Sequence, residues 1–226
     1  MDEGLLNKDL FKNYSKYCYP ILFFVIVLLI VLLVSFNNLA GNVITSTANG
    51  DLAKISEIKY NFIGVQLLNF TTFILGCVLP IIIALVMCNY DKNSKTNNIN
   101  DNMFSNKIIS GALFIILPFL ANTIMYMILI WAGFFGDLQT AVIEKLVSAT
   151  VLGFAMSMLT FLLITIINIS IKNPVVDSLL TLAIVLFVTQ TFRFTSIPTV
   201  FLVFIIVFVW LALLYLGNTI YKRDKK

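Results

Sequence analysis

From Pro20 to Phe36 the chain carries no charged side chain. The same holds from Phe62 to Cys88, Ile108 to Phe135, Leu146 to Ile171 and Ile197 to Gly217. A further run, Val175 to Thr191, holds a single charge, Asp177. A helix needs roughly 20 apolar residues to cross the hydrocarbon of a bilayer. These runs are apolar throughout and lack the every-second-residue alternation of a barrel strand. A helix also satisfies its own backbone inside lipid. The chain is therefore predicted to be an all-α, polytopic membrane protein: one transmembrane domain over residues 1–226, built as a bundle of about six helices. The first and fifth runs are short and borrow flanking residues, while the second to fourth are long enough to tilt or protrude.

Composition agrees. Of 226 residues, 60% are hydrophobic and 12% charged, too few polar groups to cover a soluble domain. The net charge of +4 comes from lysines and arginines gathered at the edges of the apolar runs, which reads as topology signal and lipid contact and not as nucleic-acid binding. With the N-terminus inside, the cytoplasmic basic residues are Lys8, Lys12, Lys16, Lys92, Lys95, Lys107, Lys172, Lys222, Arg223, Lys225 and Lys226. The external ones are Lys54, Lys59, Lys145 and Arg193. That asymmetry, eleven against four, predicts a multi-pass cell-membrane protein with both ends cytoplasmic. The first run follows a charged segment without a small-residue cleavage site and is read as a retained span.

The connections follow. Asn37 to Asn61 is read as a polar external loop, and Asn89 to Asn106 as an Asn-rich cytoplasmic loop. Leu138, Ala141, Val142 and Leu146 have helical spacing and predict a short interfacial helix before the fourth span. Lys172-Asn173-Pro174 is read as a tight inner turn, with a very short external link around Arg193. Before the first span, Leu6, Leu10, Tyr14, Tyr17 and Cys18 share one helical face, and Lys8, Lys12 and Lys16 form a basic row. This predicts an amphipathic helix lying in the inner interface, its apolar face in lipid, serving either as an anchor or as an elbow that transmits motion.

Chemistry is sparse. There is no histidine, and Cys18, Cys77 and Cys88 show no metal or redox spacing. No Walker A loop, nucleophile elbow or pair of intramembrane carboxylates is present, so an enzyme is not expected, and neither a cofactor nor a metal is implied. The absence of mid-depth charge argues against a self-powered proton carrier and fits motion driven from outside the membrane. Neutral polar groups do occur within the runs: Gln66, Asn69, Thr71 and Thr72 in the second, Asn122 and Thr123 in the third. They either glue helices together or line a pathway. Pro80 and Pro118 can kink their helices. Ala149, Gly153 and Ser157 form a small-residue stripe for close helix approach.

Four segments carry a resemblance: Leu6 to Lys12, an amphipathic lead-in; Cys88 to Thr96, the charged start of a cytoplasmic loop; Phe104 to Gly111, the basic start of the third span; and Tyr221 to Asp224, a basic stop. Together they resemble the permease subunits of type-2 ABC exporters, especially small ones of bacteriocin, lantibiotic or drug efflux. The resemblance implies a separate ATPase subunit and a second permease subunit, identical or different. It also implies a coupling loop in which Tyr90, Asp91, Lys92, Lys95 and Lys107 are the residues of interest. The lysines of that loop are expected to be exposed, with Asp91 and Asp101 opposing them. The alternatives are a non-transporting membrane scaffold and an immunity protein that binds a toxin in the bilayer.

Overall fold

The computed structural model describes residues 8–93, 103–170 and 199–223, together with Leu180 and Ala183. Every extended element among them is helical. Four helical stretches are long and apolar enough to cross a membrane: Leu10–Thr47, Leu52–Asp91, Phe104–Trp131 and Gly136–Asn168. Apart from Leu180 and Ala183, the predicted fifth span lies outside the described residues, as do the turn at Lys172 and the link around Arg193.

The first helix, α1 (Lys8–Thr47), passes through Pro20 without a break and continues ten residues beyond Asn37. The expected polar loop Asn37 to Asn61 is therefore mostly helix. Polar side chains there do not break the helix because they bond back onto it. Thr45 and Thr47 donate to the Asn42 and Val43 carbonyls at 2.9 and 2.7 Å. The chain reverses only where Asn49 and Gly50 take positive φ, 45° and 84°. Asp51 then caps the next helix, accepting from the Ala53 and Lys54 amides.

That second helix is continuous over residues 52–93 but changes winding along its length. It runs as α2 (Leu52–Lys59), a π segment (Tyr60–Leu67), α3 (Leu68–Phe73), a second π segment (Ile74–Val78) and α4 (Leu79–Asn93). The second π segment sits directly before Pro80 for a local reason. The Leu79 amide bonds to the Ile74 carbonyl, and Pro80 has no N–H to give. The Leu75 carbonyl thus loses both donors a helix could offer it. Ser157 supplies one from across the bundle, its hydroxyl donating at 3.2 Å. The widened turn is a product of the proline, and its cost is offset by a neighbouring helix.

Helix α5 (Met103–Trp131) returns alongside α1 and α4. It ends in a Schellman motif: Gly133, at φ 69°, donates to the Ile130 carbonyl, and Phe134 to that of Leu129. After a 3-10 turn (Gly136–Leu138), α6 runs from Gln139 to Ser170 as one helix. The short interfacial helix expected around Leu138 to Leu146 is the first turns of α6 itself. The last described helix, α7 (Thr199–Arg223), packs on α6 and points the same way. Its Gly217 lies against Ile166 and Phe104, and its Ile206 packs with Met156 and Leu159, earlier in α6.

Besides the contacts of Ile206 with Met156 and Leu159, two larger apolar clusters hold the described helices together. At the end carrying the start of α1, Tyr14, Cys18 and Leu22 pack with Leu79, Ile83, Met87, Phe104, Phe114 and Phe161. At the opposite end, Ile63, Leu67 and Tyr126 pack with Phe135, Val142 and Leu146. Outward faces are also apolar: Phe23 and Phe24 on α1, Leu120 and Ile124 on α5, and Phe204 and Phe208 on α7 are all exposed. The small-residue stripe of α6 packs within the chain, where Gly153 faces Thr72 and Phe119.

Gly111 on α5 sits directly against the Phe161 side chain of α6. A Cβ there would overlap the Phe161 ring, which is fully buried. Gly111→Ala should therefore lower stability by about 1–3 kcal/mol through overpacking, read as a fall in the unfolding midpoint of the detergent-solubilised chain. An unchanged midpoint would mean that α5 and α6 are not held at this spacing.

Candidate functional site

The polar side chains that come together are at the bundle end that holds the start of α1. Asp91 lies near the end of α4 and Lys107 in the second turn of α5, so the two helices bring them together beside the connection 94–102. Lys107 Nζ lies 2.5 Å from Asp91 Oδ2. Tyr14, from α1, donates its hydroxyl to the other carboxylate oxygen at 2.7 Å. Lys107 Nζ also reaches Cys88 Sγ at 3.3 Å. One carboxylate thus ties the ends of α1, α4 and α5.

The cluster is enclosed. The Lys107 side chain is 6% exposed and that of Asp91 15%. Tyr14 and Cys88 are buried. Rings close over it: Tyr90 meets Tyr14 edge-on at 5.6 Å and Tyr17 at 5.8 Å. Alongside, Phe11 stacks on Phe114 at 5.3 Å. In such surroundings opposite charges attract strongly, but only paired geometry compensates the loss of water. The arrangement has the chemistry of a clasp and lacks that of a catalytic centre. It holds one acid, one base and no space for a substrate between them. Among the described residues, no three His, Cys, Asp or Glu side chains are grouped to hold a metal.

These positions correct two expectations. Lys107 is not an exposed loop charge opposed by Asp91 but its buried partner. Of the apolar face of the N-terminal segment, Tyr14 and Cys18 lie against protein, at 1% and 0% exposure, while Tyr17 is exposed. The segment is the first turns of α1 and no separate interfacial helix. The side chains of Lys92 and Lys95 lie outside the described residues, as does Asp101. Tyr14 and Cys88 were not expected at the site.

The remaining polar residues do not join it. Asn122 is 2% exposed and its Oδ1 has no hydrogen-bond partner among the described residues. Gln66 and Asn69 face outward from the second helix, so neither joins the described helices to one another. Thr71 and Thr72 do turn inward and are buried. At the far end, Lys59 sits over the Phe134 ring at 4.2 Å and Lys145 over Tyr60 at 5.2 Å. Comparison with known protein families, with curated proteins and with solved structures finds no match for this chain.

Proposed function

We propose that this chain is the membrane subunit of an ATP-driven exporter of the type-2 ABC class, moving a peptide or drug-like substrate. In this reading it pairs with a second permease subunit and with a separate ATPase. It crosses the cell membrane six times with both ends in the cytoplasm. The count draws support from α6 and α7, which run side by side in the same direction. Sidedness draws support from the lysine asymmetry.

The observation that carries the mechanism is the Asp91 clasp. A partner that binds the connection 94–102 presses on the ends of α4 and α5. Because Asp91 and Lys107 lock those ends together and Tyr14 adds α1, the force moves three helices as one rigid group. ATP binding in the partner then shifts the populations of inward-open and outward-open states. The chain itself has no phosphate loop, so hydrolysis belongs to the partner.

Affinity purification from native membranes in mild detergent tests this reading. The purified chain alone should hydrolyse no ATP, and the native complex should contain an ATPase whose activity follows the chain through a second purification step. A chain that never co-purifies with an ATPase would favour a non-transporting scaffold.

A further inference from the structure

Gln66 and Asn69 lie three residues apart on the exposed face of the second helix, with Phe70 beside them at 45% exposure. Neither amide has a hydrogen-bond partner among the described residues. Their depth can be read from packing. Ile63 and Leu67 belong to the far-end cluster against which Leu32, Leu33 and Phe36 of α1 pack, and Phe36 is where the apolar run of α1 gives way to Asn37 and Asn38. Gln66 lies between Ile63 and Leu67 and Asn69 just beyond them, so both fall inside the apolar run Phe62 to Cys88. Two carboxamides thus face hydrocarbon from a helix otherwise apolar over this stretch. Lipid tails offer them no donor or acceptor, and amides in membrane helices find partners on other helices.

Resting on the paired-subunit reading above, we propose that the Gln66–Asn69 face is the contact with a second copy of this chain. The chemistry of the amide selects that occupant. A carboxamide carries both donor and acceptor, and a two-fold contact sets the same patch against itself. Each amide therefore finds what it lacks in its own counterpart, without a partner of matched but different sequence. Opposing charges play no part, because the face carries none. Phe70 and the partly buried Phe73 flank the amides and supply apolar contact area around them.

Cysteine crosslinking in native membranes tests the contact. The three native cysteines are all buried and do not compete. Gln66→Cys and Asn69→Cys are made separately, so that each variant keeps one amide, and membranes are oxidised with copper phenanthroline. Both should give a band at twice the mass of the chain. Ile124→Cys and Phe208→Cys, exposed on α5 and α7, should stay monomeric. In a second measurement, the double variant Gln66→Leu, Asn69→Leu should weaken association roughly fivefold or more by fluorescence transfer between labelled copies in liposomes.

Monomer at both 66 and 69, dimer at the control positions as readily, crosslinking to a different protein, or undiminished association of the leucine variant would each overturn the proposal. The same membranes distinguish it from the exporter reading. A crosslinked dimer without an associated ATPase leaves the contact standing and removes the transport function. An ATPase recovered with no crosslink does the reverse.

Discussion

Replacing Asp91 with alanine should cost about 3–5 kcal/mol of stability, the largest loss expected from any single polar substitution in this chain. The variant leaves the Lys107 ammonium enclosed at 6% exposure, with Cys88 Sγ at 3.3 Å as its remaining polar neighbour, and a buried charge without a counter-ion is far costlier than a pair. Lys107→Met should cost less, because Asp91 is the more exposed partner and keeps the Tyr14 hydroxyl. The double variant Asp91→Ala, Lys107→Met removes both charges and should recover most of the loss, since an apolar replacement of an ion pair is often close to neutral. Unfolding of the detergent-solubilised chain measures all three, and the non-additivity of the cycle isolates the pair. Alkylation of Cys88 is a local readout. It should be slow in the parent and the double variant and fast in Asp91→Ala. A stable Asp91→Ala variant with slow Cys88 alkylation would show that water, and not Lys107, satisfies the carboxylate.

The helical architecture was legible because a single physical constraint decides it. Uninterrupted apolar runs of this length are long enough for helices that cross a membrane, and α5 and α6 fall where the runs predict them. What was not legible depended on pairs distant in sequence. Asp91 and Lys107 flank a polar stretch, and polar stretches are ordinarily solvated. Only the antiparallel approach of α4 and α5 puts the two side chains face to face and encloses them. The lead-in differs from expectation for another reason. Cutting the pattern at Pro20 leaves Tyr14 and Cys18 as the apolar face of a separate short helix. Tyr14, Cys18, Leu22, Val25 and Leu29 in fact form one stripe, all of it buried. Its spacing of three and four residues passes straight through the proline. That continuity was available in the sequence. The outward direction of Gln66 and Asn69 was not, because hydropathy reports depth but carries no information on facing when nearly every neighbour is apolar.

If the chain is the exporter subunit proposed above, deleting Ser94 to Asn100 should abolish stimulation of its ATPase partner, and any resistance conferred, while leaving the chain inserted. Insertion should survive because three of the eleven inner basic residues, Lys92, Lys95 and Lys107, belong to the connecting region, so eight lie elsewhere. The deletion takes only Lys95, which is too little to reverse the orientation. The helix ends should stay joined as well. Asp101 and Asn102 remain as the link, within the length that neighbouring helices in bundles use, and the Asp91–Lys107 pair holds the ends together independently of it. The part removed is the surface a partner would grip. A variant in which Ser94 to Asn100 is replaced by Gly and Ser of equal length separates grip from length. It relaxes the link completely, and it too should fail to stimulate the ATPase. Accessibility of a cysteine placed at Asn49, labelled from outside in parent and variants alike, verifies that insertion is unchanged. The clasp makes the two regions separable. Breaking it with Asp91→Ala should lower stability and coupling together, whereas removing the loop should lower coupling alone. If both loop variants insert normally and retain full transport, the segment is a solvated linker, and the exporter reading loses its point of attachment.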